Sequence, residues 1–237
     1  MRLEVCVDDI AGLHAAVEGG ADRIELCSAL ALGGLTPGPG LMAAAARLPI
    51  PAYAMIRPHA GDFRFSGSDL EAMKADIDAA RRAGLAGVVL GASRDDGGLD
   101  KAMLAALTAH AAGLGTTLHR AFDLVPDVTE AVEIAVELGF ERILTSGGAK
   151  TAAEGVDTLE RVIALAAGRI SVMPGSGVNL KTIGTLLPRL AVSEIHASCS
   201  APGAAADSRA VALGFAPADA RRTDAATVRA LRAALPR

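Results

Sequence analysis

The stretch that decides the fold runs Leu3-Glu4-Val5-Cys6-Val7, then Asp8-Asp9 and Ile10 to Glu18, then Gly19-Gly20 and Arg23-Ile24-Glu25-Leu26-Cys27. A short run of strand-forming residues leads into two aspartates, which favour a helix N-cap. A helical pattern follows until paired glycines end it, and a second strand-like run begins almost at once. Strand, helix and strand joined this tightly imply parallel pairing through a right-handed crossover.

The same unit recurs along the chain. Further strand-like runs lie at Ala52–Arg57, Gly87–Leu90, Thr116–His119, Arg142–Thr145, Arg169–Met173 and Ser193–Ala197. Helical patterns fall between them, over about 39–47, 69–83, 100–112, 128–138, 155–167 and 179–187. Eight strand candidates spaced roughly 20–34 residues apart predict an α/β fold of the (β/α)₈ or TIM-barrel type. A doubly wound open sheet usually needs fewer strands for this length. The expectation is one barrel domain over 1–237 with a last helix at about 224–234. The stretch 200–223 reads as a flexible connection before it.

Composition narrows the function. Hydrophobic residues make up 51% and charged residues 21% of the 237, enough apolar material for a large core. Aromatics are 3% with no Trp, and the formal charge is -4, so stacking platforms and basic stripes are lacking and no nucleic-acid partner is expected. No apolar run approaches the roughly 20 residues that cross a bilayer, and strand-like residues begin at Arg2 or Leu3. The expected setting is cytoplasmic, without a membrane partner. Cys6, Cys27 and Cys199 form an odd set that fits free thiols in a reducing compartment.

Strands covered on both faces usually read as continuous apolar runs, whereas several here alternate. Leu3, Val5 and Val7 share one face, with Glu4 and Cys6 on the other. Ile24 and Leu26 oppose Arg23, Glu25 and Cys27, and Ile195 and Ala197 oppose Glu194, His196 and Ser198. If the apolar faces meet the helices, the polar faces line the lumen. Unpaired charge there costs several kcal/mol, so these groups need partners or a wet, open end. Arg57, His119 and Arg120 close other strands and are the counter-ions this pattern offers.

Chemistry concentrates at strand ends, where a barrel keeps its working residues. His119-Arg120-Ala121-Phe122-Asp123 supplies a proton shuttle, an oxyanion clamp and an orienting carboxylate. Glu4 and Glu25 are acid–base candidates, with Arg57 and Arg120 as clamps. Gly147 after the sixth strand and Gly175-Ser176-Gly177 after the seventh offer backbone amides to a phosphate or carboxylate, joined by His196 and Ser198 from the eighth. The loop Arg57-Pro58-His59-Ala60-Gly61-Asp62-Phe63 is long enough to overhang the site. Cys6 and Cys27 on neighbouring strands, with Met55 nearby, offer soft sulfurs of the kind Cu(I) takes. Small buried hydrophobes are the other reading of such cysteines. No motif for an organic cofactor is present.

These motifs resemble the CutC family of copper homeostasis proteins. The resemblance rests on Leu3–Val7, Gly20–Cys27, Gly33-Gly34-Leu35-Thr36-Pro37, Met55–Pro58, Gly61-Asp62-Phe63, His119–Asp123 and Leu144–Gly147, in that order. It implies a TIM barrel, a cytoplasmic homodimer or higher homo-oligomer, and a part in copper handling with Cys6 and Cys27 as Cu(I) ligands. Two functions therefore stand open: copper binding, and a lyase, isomerase or hydrolase acting on a small anionic, sugar-like substrate.

Overall fold

The structure, a computed structural model, describes residues 1–236. Eight parallel strands form the barrel: β1 (Arg2–Val7), β2 (Arg23–Leu26), β3 (Ala52–Met55), β4 (Gly87–Leu90), β5 (Gly115–Leu118), β6 (Arg142–Thr145), β7 (Ser171–Pro174) and β8 (Glu194–Ala197). Their order is β7-β6-β5-β4-β3-β2-β1-β8. The ring is nearly closed, and at the β7–β8 seam the Ser171 hydroxyl donates to Glu194. The TIM-barrel reading of the sequence is therefore correct.

Helices α1 (Ile10–Gly19), α2 (Pro39–Ala45), α3 (Gly67–Ala83), α4 (Lys101–His110), α5 (Val128–Glu137), α6 (Val156–Ala166) and α7 (Ile183–Leu186) wrap the outside. Asp9 caps α1 through the Gly12 amide, as the aspartate pair foretold, and Gly20 ends it at φ 88°. The seventh helix is shorter than the 179–187 expected. Asn179 and Thr182 side chains bond into the preceding turn, with Asn179 Nδ2 and Thr182 Oγ1 both donating to the Gly177 carbonyl, and delay the helix.

Alternation sorts the core. Leu3, Val5, Val7, Ile24, Leu26, Ile195 and Ala197 are buried in the layer between strands and helices. At 25 cal/mol per Å² this apolar layer is the main stabilising term. Glu4, Arg23, Glu25, Glu194 and His196 are buried on the opposite faces.

The 200–223 segment, read from the sequence as a connection, carries secondary structure of its own. It forms β9 (Ser200–Pro202), α8 (Ser208–Ala212) and β10 (Arg221–Thr223), with β9 and β10 paired antiparallel. It leads to α9 (Ala225–Ala234), which packs on α1 so closely that a Cβ on Gly19 would collide with Val228. No helix among the described residues is long and apolar enough to cross a membrane.

Candidate functional site

The lower lumen is a buried ion network. Arg23 donates through Nε to Glu4 and through Nη2 to Glu194 Oε2 at 2.6 Å. Arg142 donates to Glu194 Oε1 at 3.3 Å and to Thr117 Oγ1 at 2.8 Å. Both guanidiniums lie over the Tyr53 ring, at 5.4 and 4.9 Å from its centroid. Arg142 also meets Glu141 Oε2 at 2.9 Å, so each guanidinium pairs with two carboxylates and no charge of the floor is left without a partner. The counter-ions are thus Arg23 and Arg142, not Arg57, His119 and Arg120. Arg142 escaped the sequence reading although it lies on the inward face of β6.

Above the floor, Glu4 links to the next layer. Its Oε1 accepts from His196 Nδ1 at 2.8 Å, while Oε2 holds Arg23. Burial alone would raise this carboxyl, but the bonds from His196 and Arg23 outweigh it and hold it down to about 2. With both oxygens taken and none facing the cavity, Glu4 positions His196 and is not placed to act as an acid or base. His196 Nε2 faces Glu25 Oε2 at 3.8 Å. Cys6 is the register partner of Glu25 on β1. One ligand atom from each of Cys6, Glu25 and His196 lies within 4.8 Å of the other two. Glu25 Oε1 is buried without a hydrogen-bond partner among the described residues. Burial raises the Glu25 carboxyl, while the charges of Glu25 and Cys6 outweigh burial and raise the His196 imidazole. The rise at His196 agrees with the geometry, since its Nδ1 meets the Glu4 carboxylate at 2.8 Å.

Cys27 lies apart from this cluster. The register sets Cys6 opposite Glu25, leaving Cys27 two residues further along, with about 8 Å between the Cα atoms of the two cysteines by strand geometry. The two cysteines are thus staggered along neighbouring strands. Cys27 is fully buried, its Sγ donates to Glu25 Oε2 at 3.6 Å, and Gly34 lies directly against the sulfur. Burial and the Glu25 charge push the thiol well above its ordinary value.

A cavity of about 430 Å³ opens over this layer. Cys6, Glu25 and His196 line its depth, with Met55, Arg57, His119 and Arg120 around it. Glu25 is the one carboxyl among the acid–base candidates that reaches it. His119 Nδ1 accepts the Ala121 amide proton at 3.1 Å, so the assigned tautomer carries its hydrogen on Nε2. That Nε2 is buried and has no partner among the described residues. Burial, reinforced by the Arg57 charge, lowers the His119 pKa to about 3, so the ring is a neutral donor. It fits only because Gly91 has no side chain: a Cβ there would lie 2.5 Å from the ring.

Arg57 shares this pattern. Its Nη1 donates to the Leu32 and Gly34 carbonyls and its Nη2 to that of Gly61, while Nε is buried without a partner among the described residues. Phe63, from the same loop, stacks 4.7 Å from both the Arg57 guanidinium carbon and the His119 ring centroid. It does so at φ 64°, a left-handed conformation uncommon for a bulky residue. The loop therefore overhangs the site.

Asp123 is saturated. It accepts from Arg120 Nε at 2.6 Å, from Thr145 Oγ1, and from the Ser146 and Gly148 amides. It fixes Arg120 across the ends of β5 and β6 and does not face the cavity. Gly147 and Gly175 also fall outside the cavity, with amides bonded to Thr145 Oγ1 and the Thr145 carbonyl. Ser176, Gly177 and Ser198 do line it. Ser176 and Gly177 adopt φ 69° and 71°, curling the loop into a concave run of amides. Among the described residues, no acceptor takes the amide protons of Ser176, Gly177 or Val178. Arg221 on β10 also lines the cavity and is anchored on Ser200 through two bonds. It was hidden in the segment read as a connection.

The CutC family model matches residues 1–201. A CutC family protein from Rhizobium meliloti is 70% identical over 235 residues, 99% of this chain and 96% of its own. The crystal structure of the Streptococcus agalactiae CutC, named for copper homeostasis, is 28% identical. It covers 84% of this chain and 98% of its own at a TM-score of 0.79. A deoxyribose phosphate aldolase from Aeropyrum pernix, 14% identical, shares the fold at a TM-score of 0.62 over 83% of this chain and 85% of its own.

Proposed function

The chain belongs to the CutC family, and on that premise we propose that its barrel top binds a small anionic metabolite and acts on it. The observation that carries this reading is a set of hydrogen-bond donors around one cavity that find no acceptor among the described residues. The Ser176, Gly177 and Val178 amides, with Arg221 lining the same cavity, suit a phosphate or carboxylate group. His119 Nε2–H and Arg57 Nε are buried donors without a partner among the described residues, which is costly unless a ligand oxygen supplies one. A cavity near 430 Å³ suits a molecule of sugar size. A neutral imidazole donor can stabilise negative charge developing on a carbonyl or hydroxyl oxygen, with Glu25 as the carboxyl nearest the ligand. Lyase or isomerase chemistry on a phosphorylated or carboxylated substrate is the class this arrangement favours.

The family name points to copper, and Cu(I) prefers two or three soft sulfurs. The Cys6–Cys27 pair does not fit that demand. The stagger separates the thiols, and Cys27 is sealed beneath Gly34 beside an acidic group.

Thermal unfolding of metal-free protein with inorganic phosphate and a panel of phosphorylated aldoses and ketoses tests the anion reading. At 100 times Kd a ligand stabilises by about 2.7 kcal/mol, a rise of roughly 5–10 °C for a chain of this size. Arg221→Gln is expected to weaken binding about tenfold, the loss of one charge-assisted contact. If no panel member shifts the transition at millimolar concentration, the proposal fails.

A further inference from the structure

We infer that Cys6, Glu25 and His196 form a binding site for a borderline divalent cation of the zinc type, with its open position facing the cavity. The donor set is one sulfur, one carboxylate oxygen and one imidazole nitrogen, the mixture that zinc takes. Their ligand atoms already lie within 4.8 Å of one another. Tetrahedral zinc with bonds of about 2.0–2.3 Å sets its ligands about 3.5 Å apart, so closure needs side-chain shifts of about 1 Å.

Two further observations point to an ion. Glu25 Oε1 is a buried carboxylate oxygen with no donor among the described residues. His196 is oriented by Glu4, which takes Nδ1 at 2.8 Å and turns Nε2 toward Glu25. That is the carboxylate–histidine–metal arrangement by which proteins fix a ligating imidazole. Arg23 in turn holds Glu4, so the orienting carboxylate is itself anchored from below. The three ligands come from β1, β2 and β8, neighbours in the sheet. All three also line the 430 Å³ cavity, so the fourth position is open to water or to a bound molecule, as in catalytic zinc sites.

The inference is independent of the anion reading, which is tested without metal. Co²⁺ added to chelator-stripped protein is the probe. Stoichiometric binding is expected, with intense tetrahedral d–d bands and a near-ultraviolet thiolate-to-cobalt band, both displaced by Zn²⁺. Cys27→Ser should keep the thiolate band and Cys6→Ser should lose it. Should Cys6→Ser fail to fold, the wild-type protein still decides: bound Zn²⁺ should protect Cys6 from alkylation, located by peptide mass spectrometry. Absence of a thiolate–cobalt band, its loss in Cys27→Ser, or equal Cys6 alkylation with and without Zn²⁺ would each overturn the inference.

Discussion

His119 should make the protein acid-sensitive in a way one substitution can isolate. Its ring is buried, accepts the Ala121 amide through Nδ1, and titrates near 3 against an ordinary 6.5, first because of burial and then because of Arg57. A base whose folded pKa is depressed stays neutral in the native state while the unfolded chain takes up its proton. Its contribution is therefore intact above about 6.5 and is lost progressively as pH falls toward 3. At about pH 5 the loss is about 2 kcal/mol, from 1.36 kcal/mol per unit over the interval below 6.5. His119→Asn removes the titration yet keeps a side-chain oxygen for the Ala121 amide, since Asn is a good N-cap. Urea unfolding of both proteins, followed by circular dichroism at neutral pH and near pH 5, supplies the comparison. The variant should lose about 2 kcal/mol less than the wild type on acidification. The other histidines and the carboxylates cancel in the difference, because distant sites add independently. Equal losses in the two proteins would show that His119 is protonated in the native state, and the neutral-donor role would fall with that result.

Other perturbations probe the floor and the loops. Arg23→Met leaves Glu4 and Glu194 without their shared cation and should cost about 3–5 kcal/mol in urea unfolding. Asp123→Asn deprives Arg120 of its ionic partner; stability should fall by about 1.5–3 kcal/mol, with weaker phosphate binding by calorimetry. Gly147→Ala forces a Cβ at φ 75° into the Gly155 carbonyl and should lose more than about 2 kcal/mol. Gly67→Ala, at a helical position with open space around it, is the control and should be neutral or slightly stabilising.

What could be read in the sequence was local periodicity. The alternation in Leu3–Val7 and Arg23–Leu26 correctly separated the helix-facing residues from the lumen, because a two-residue period does not depend on distant partners. Which lumen residues face each other was not legible. That depends on the stagger between strands, a property of barrel closure, which sets Cys6 beside Glu25 and Cys27 two residues further along. Arg142 could have been found by applying to β6 the parity argument used for β1, β2 and β8. Arg221 could not: β9 and β10 hold three residues each, too few for a period to show. The glycines after β7 marked the right loop, yet the groups that face the cavity are backbone amides, whose freedom depends on how the loop folds.

The lumen is expensive to build this way. A purely apolar filling would be as stable or more so, since replacing buried ion pairs by packed hydrophobic groups often gains stability. The layering shows what the ions do instead. Arg23 fixes Glu4, Glu4 fixes His196, and His196 stands with Glu25 and Cys6 at the bottom of the cavity. Each link takes up a lone pair or proton that could otherwise rotate the next group away. The chain ends at Glu25 Oε1, which like the buried His119 Nε2 and Arg57 Nε has no partner among the described residues. The unsatisfied groups belong to residues that line one cavity, and that set is where a ligand gains most by binding.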